Sequence, residues 1–243
     1  MSLPKLAVKQ VVEAGQDWRV REGLSLIEAH DPATLRHVVR VSALAVHLAL
    51  MEGYNESETP PLAMGAMLHD VGKIGVRIDI IHPTDVKTSK VDYTEASPDR
   101  RFAAIKVHPE IGYLLAWNMF RDEQDVVLRR LVPGLVLTHH CHNADRENYP
   151  TDETMSRMED EGVLKKDDFL DAFLLDFGGI LAISDVYEAI TANRTYTHGI
   201  GFEDPAKVRQ CLVDSHPKMG RRIEELMRLH LIRFPNNGWM GKA

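Results

Sequence analysis

The sequence predicts an all-α protein. Apolar residues recur at three- and four-residue intervals in one segment after another, and residues that start and stop helices bracket those segments. No stretch of useful length alternates apolar and polar residues as a half-buried strand would. Repeats, coiled-coil heptads and a Gly-rich phosphate loop are likewise not found. With 243 residues, 44% of them hydrophobic and 27% charged, the chain suits one large domain or two small ones with a substantial core.

Residues Lys5 to Ala29 read as one or two amphipathic helices broken near Gly15, a packing element or an oligomer contact. They form an N-terminal helical extension over 1–30, ahead of a main domain over 31–243. Asp31-Pro32 is a strong helix start, an N-cap acceptor followed by a proline whose missing N–H is not needed there. That helix runs through Leu35, Val38, Val39, Ser42, Ala45, Val46 and Ala49 and stops at Gly53. His37 borders the apolar stripe, whereas His47, ten residues on, falls off the same line and reads as partly exposed. Glu58 to Leu68 forms the next helix, with Pro60 and Pro61 in its first turn and the small run Ala63-Met64-Gly65-Ala66 permitting close packing.

Gly72 and Gly75 mark the chain leaving that helix, so His69 and Asp70 sit at a helix-to-loop transition with Lys73 just beyond. Arg77 to Pro98 reads as a loop. Pro98 to Met119 is helical but interrupted at His108-Pro109, because the residue before a proline resists helical geometry. Asp125 to Thr138 is a helix that ends in Thr138-His139-His140-Cys141-His142. Asn143 to Asp168 is a charged loop with a short helix. Phe169 to Ala192 is the most apolar segment, a core helix with Asp185 inside it that either faces solvent or meets a cation. Pro205 to Val213 and Pro217 to Ile232 close the chain.

The net charge of −7 argues against a general binder of nucleic-acid polymers. Cys141 and Cys211 are too few for a disulfide framework, Cys141 reads as a buried small residue, and the reading is cytoplasmic. No apolar run approaches the roughly 18 residues of a membrane span, and the N-terminus lacks a signal-peptide pattern. No membrane association is expected. Without a receiver or sensory segment in view, regulation is expected through a partner or a homodimer.

Imidazole and carboxylate ligands together suit zinc, manganese and iron. A carboxylate such as Asp70 can bridge two ions about 3.5–4 Å apart, which together activate water and bind a phosphate oxygen. The candidates His37, His69, Asp70, His108, His139, His140 and Asp185 come from separate helices or helix ends. Among the other histidines, His30, His82, His216 and His230 read as surface or capping residues, and His142 and His198 stay undecided.

His37…His69-Asp70…Asp185 resembles the H…HD…D signature of the HD superfamily of metal-dependent phosphohydrolases. The ordered motifs His69-Asp70-Val71-Gly72-Lys73-Ile74-Gly75, His108-Pro109-Glu110-Ile111-Gly112, His139-His140, and Asp185 to Thr191 followed by Arg194-Thr195-Tyr196 are similar to its HD-GYP branch, over roughly Asp31 to His198. The resemblance implies an HD-domain helical bundle holding two divalent metal ions (Fe, Mn or Zn). It implies that His37, His69, Asp70 and Asp185 hold one ion, and that Asp70 bridges to a second held by His108, His139 and His140. It implies that Lys73 and Asp70 are catalytic and that Arg194, Tyr149 and Tyr196 bind substrate. The activity it implies is phosphodiesterase cleavage of a cyclic dinucleotide such as c-di-GMP.

The chain departs from that pattern in places. The GYP signature is Asn148-Tyr149-Pro150, the usual His-His-Glu is His139-His140-Cys141, and Asn143 to Glu147 replaces an Asp-Gly-rich connection. Ala33 stands where some relatives carry a glutamate for a third metal. Two alternatives therefore accompany the main reading: a phosphohydrolase of another nucleotide or small phosphoester, or a non-catalytic binding or regulatory module on the same fold. Lys73 and the full ligand set weigh against the second.

Overall fold

The computed structural model describes residues 5–81, 103–141, 150–160, 168–192 and 204–233, and no strand occurs among them. The helices are α1 (Lys5–Ala14), α2 (Trp18–His30), α3 (Pro32–Glu52), α4 (Pro60–Leu68), a 3-10 turn (Val71–Gly75), α5 (Ile78–Ile81), α6 (His108–Phe120), α7 (Val126–Thr138), α8 (Asp152–Asp160), α9 (Asp168–Thr191), α10 (Pro205–Ser215) and α11 (Gly220–Arg233). The expected break near Gly15 separates α1 from α2.

The ends of α3 follow from local chemistry. Asp31 accepts hydrogen bonds from the Ala33 and Thr34 amides at 2.9 and 3.1 Å and from the Thr34 hydroxyl at 2.6 Å. This satisfies donors that no carbonyl inside the helix can reach. At the other end Gly53 takes φ = 101°, in the left-handed region that glycine enters without a Cβ clash. Asp125 and Asp204 cap α7 and α10 in the same way as Asp31. The expected interruption before His108 is a turn at Val107 between a short helical stretch over 103–106 and α6.

Two apolar clusters share α3 and α4. In one, Val41, Leu44, Ala45 and Leu48 of α3 meet Leu62, Leu135, Phe177, Ile180, Leu181 and residues of α10 and α11. In the other, Val38, Ala43 and Val46 meet Ala63, Leu68, Val71 and residues of α1, α2, α6 and α7. Helix α3 is thus enclosed on opposite faces, which changes two readings made from its stripe. An 18-residue window of it is apolar and long enough to cross a membrane by composition, although no such run was expected, and 61% of that window is buried in the protein. His47 is buried, not partly exposed, and pairs with Glu225 of α11 at 2.9 Å.

The 3-10 turn after α4 lies against the start of α6. A Cβ on Gly72 would stand 1.9 Å from the His108 carbonyl oxygen and 2.5 Å from the Gly112 amide nitrogen. Backbone on both sides leaves no flexible side chain to yield. This contact holds the His69-Asp70 turn against the helix that carries His108.

Gly72→Ala is therefore expected to destabilise the protein by about 3 kcal/mol or more through overpacking and to impair metal binding, because it moves Asp70 away from His108. Gly53→Ala, where nothing lies within 4 Å of the added carbon, should lose only about 1 kcal/mol from the left-handed backbone and leave metal binding intact. Denaturant midpoints and metal titrations of the two variants check both.

Candidate metal centre

Three of the imidazoles are placed by one repeated local device. His69 follows the last residue of α4, His139 follows the last residue of α7, and His108 follows the helical stretch over 103–106. Carbonyls in the last turn of a helix lack an amide partner. Each ring uses one of them: His69 Nδ1 meets Ala66 O at 2.7 Å, His108 Nδ1 meets Ile105 O at 2.7 Å, and His139 Nδ1 meets Val136 O at 2.8 Å. With the Nδ1 proton donated to a carbonyl, the neutral ring presents a bare Nε2, the tautomer a metal ligand requires.

Those bare nitrogens converge. His108 Nε2 and His139 Nε2 are 3.1 Å apart, two lone pairs facing each other with no proton committed between them. His69 Nε2 is buried and has no hydrogen-bond partner. A buried polar atom left in that condition is destabilising unless a cation meets it. The half-buried His140 completes this side, its ring 4.1 Å from that of His139 and 5.2 Å from that of His108.

Asp70, 1% exposed, lies between the two sides. Its Oδ1 is 3.3 Å from His108 Nε2, while Oδ2 is 3.7 Å from His37 Nε2, 3.5 Å from His69 Nε2 and 2.6 Å from Lys73 Nζ. Asp185 does not face away into solvent: its Oδ1 is 2.9 Å from His37 Nε2 and 3.9 Å from His69 Nε2. Two groups result, His108 with His139 and His140, and His37 with His69 and Asp70, the potential ligand atoms within each lying within 4.8 Å of one another. This donor set fits divalent ions of the zinc, manganese and iron type.

Protonation agrees with that fit. Burial lowers the His69 pKa, and burial with the neighbouring His140 lowers that of His139 well below the usual value. Burial and then His108 push His140 down to about 3. All three rings stay neutral. Burial alone would raise the carboxyls of Asp70 and Asp185, but the Lys73 ammonium at 2.6 Å holds Asp70 ionised, and His37 holds Asp185 ionised. Burial opposes a charge on His37, yet its hydrogen bonds to Asp185 and Glu188 outweigh it and raise its pKa.

The structure therefore brings together all seven expected ligand residues and Lys73. Tyr149, Arg194 and Tyr196, expected to bind substrate, lie outside the described residues, as do His82, His142 and His198. The reading of His230 as a surface or capping residue is corrected, since it is fully buried with Nδ1 3.2 Å from the Tyr187 hydroxyl. His216 is buried but does occupy the C-cap of α10, and His30 meets the Val76 carbonyl at 2.9 Å. Two residues given no role by the sequence join the centre. Glu188 bonds His37 Nδ1 and also accepts from Arg40 at 2.9 Å. The available signal was spacing: Arg40 follows His37 by three residues, and Glu188 follows Asp185 by three, so each pair shares a helix face.

A family model for the HD domain matches residues 34–167. The chain is 27% identical over 198 residues to a cyclic di-GMP phosphodiesterase of Vibrio cholerae, an alignment covering 78% of this chain and 35% of that protein. It is 28% identical over 212 residues to the 3'3'-cGAMP-specific phosphodiesterase 2 of the same species, covering 86% and 33%. With the cyclic di-GMP phosphodiesterase response regulator RpfG of Xanthomonas campestris it shares 29% identity over 183 residues, covering 73% and 40%. The matched stretch is thus between about a third and two fifths of each relative's length. The HD domain of the L. monocytogenes phosphodiesterase PgpH, solved in complex with cyclic-di-AMP, has the same fold at a TM-score of 0.51 and 17% identity, over 88% of this chain and 96% of that one. With more than half of its residues matched by that family model, the chain belongs to the HD domain family.

Proposed function

We propose that this chain is a dinuclear metal-dependent phosphodiesterase that hydrolyses a cyclic dinucleotide. The observation that carries the reading is Asp70, whose two oxygens face separate histidine groups, Oδ1 toward His108 and Oδ2 toward His37 and His69. Bound there, two divalent ions would supply an activated water and neutralise charge developing on phosphorus. His37, His69, Asp70 and Asp185 would hold one, and Asp70, His108, His139 and His140 the other. The names of the relatives in Vibrio cholerae and Xanthomonas campestris, and the ligand of the PgpH domain, support a cyclic dinucleotide as the substrate class.

The chain's own groups have definable tasks. Lys73, with 19% of its side chain exposed, reaches from the site edge to Asp70 Oδ2. It orients that carboxylate and places a positive charge where a phosphoryl oxygen would arrive. Three neutral rings keep their lone pairs available, and two carboxylates stay ionised to balance dipositive ions.

The test is hydrolysis of c-di-GMP, 3'3'-cGAMP and c-di-AMP by manganese- or iron-loaded protein, with products separated chromatographically. Linear dinucleotide or mononucleotide products from at least one are expected. Loss of a transition-state charge in Lys73→Ala should lower kcat by about 10²-fold or more with metal content retained. Asp70→Ala should lose metal itself. Two ions per chain with no turnover of any of the three would instead favour the binding module.

Protonation gives a separate check. His69, His139 and His140 have lowered folded-state values, so on acidification below 6.5 the unfolded chain takes up protons that the folded chain refuses. Stability then falls with pH. His37 works in the opposite sense: its raised value adds stability below 6.5 that fades as pH rises through the folded value. Three groups oppose one, so the metal-free protein should lose stability as pH drops below 6.5. Metal also competes with protons for His37, so affinity should rise with pH above 6.5 until that ring is neutral. Denaturant midpoints and manganese titrations across pH measure the two effects.

A further inference from the structure

His37 differs from the other imidazoles of the centre. It lies inside α3 and not past a helix end, and the nearby carbonyls of α3 are already engaged by the amides of the helix. A partner for its Nδ1 has to come from another element. Glu188 of α9 supplies it, 2% exposed and with both oxygens engaged, Oε2 by His37 Nδ1 and Oε1 by Arg40 at 2.9 Å. With Nδ1 held, His37 Nε2 points at Asp185 Oδ1, 2.9 Å away, and lies 3.7 Å from Asp70 Oδ2.

We propose that Glu188, itself held by Arg40, is the positioning residue that fixes the tautomer and ring angle of His37 for the divalent ion shared with His69, Asp70 and Asp185. The proposal rests on the metal-dependent reading above and extends it to two residues outside the ligand set. A carboxylate behind an imidazole raises the ring's basicity as a ligand and prevents it from turning. Glutamine at 188 keeps the shape but loses the charge. Its amide nitrogen can also donate to Nδ1, which moves the ring proton to Nε2 and blocks the ligand atom. Arg40 has a side chain 47% exposed, so its replacement leaves the core untouched.

The experiment titrates the metal-free full chain with Mn2+ alone, following free ion by electron paramagnetic resonance, and reads imidazole 15N shifts in parallel on the chain loaded with diamagnetic Zn2+. The wild type should bind two ions and show His37 with its proton on Nδ1 in the loaded form. Glu188→Gln should weaken one ion by about 10- to 100-fold, leave the other unchanged, and shift the His37 nitrogen signals. Glu188→Asp should restore part of the loss. Arg40→Gln should weaken the same ion by a few-fold and also serves if Glu188→Gln fails to fold.

Unchanged binding of both ions in Arg40→Gln and in any folded Glu188 variant would overturn the positioning role while leaving the dinuclear reading intact. Equal weakening of both ions together with a lowered unfolding midpoint would show a merely structural role, and would overturn it as well. Fewer than two ions bound by the wild type would overturn the dinuclear reading together with this one.

Discussion

A carboxylate buried at the centre of a helical bundle constrains everything around it. Asp70 cannot remain ionised there without cations or donors, since an unpaired buried charge is strongly destabilising. Lys73 provides one at 2.6 Å. The remaining neighbours are imidazoles, and most of them are held neutral by burial, so they offer lone pairs and not charge. A shell of lone pairs around an anion is chemically suited to receive positive ions. His37 differs, with Asp185 at its Nε2 and Glu188 at its Nδ1, and hydrogen bonds to these two carboxylates raise its pKa.

The fold delivers this arrangement through helix ends. Where α4 and α7 stop, the orphan carbonyls that any helix leaves behind accept the Nδ1 proton of the next residue, and the stretch over 103–106 does the same for His108. Capping the helix end and freeing Nε2 are one act. The contact of Gly72 with the His108 carbonyl then brings two of these ends together, and α3 with α9 closes the remaining side through His37 and Asp185.

Much of this was legible in the chain because it is local. Asp31-Pro32 and Gly53 bound α3 by backbone chemistry alone, and the Gly72 and Gly75 exit after His69-Asp70 was readable in the same way. Asp185 was evenly balanced between solvent and site, since its surroundings depend on α3, which lies some 150 residues earlier in the chain. His47 and His230 were misread for a related reason. One apolar stripe does not reveal that α3 is packed on opposite faces, or that α11 comes back to cover it and α9. Glu188 needed knowledge that His37, lacking a helix-end carbonyl, must borrow a partner from elsewhere.

The site also reaches beyond the residues matched by the HD domain family model. Asp185 and Glu188 come from α9, past residue 167, so one half of the centre is completed by sequence outside the match. On the other side of the match, α2 packs Val20 and Ile27 into the cluster that contains Leu68 and Val71, the residues flanking His69-Asp70, and His30 holds the Val76 carbonyl where the turn ends. The His69-Asp70 turn is therefore clamped between α2 and α6, with backbone contact on the α6 side and side-chain packing on the α2 side. Because Asp70 sits between those two apolar positions, α2 supports the candidate metal centre by packing although it contributes none of the clustered residues.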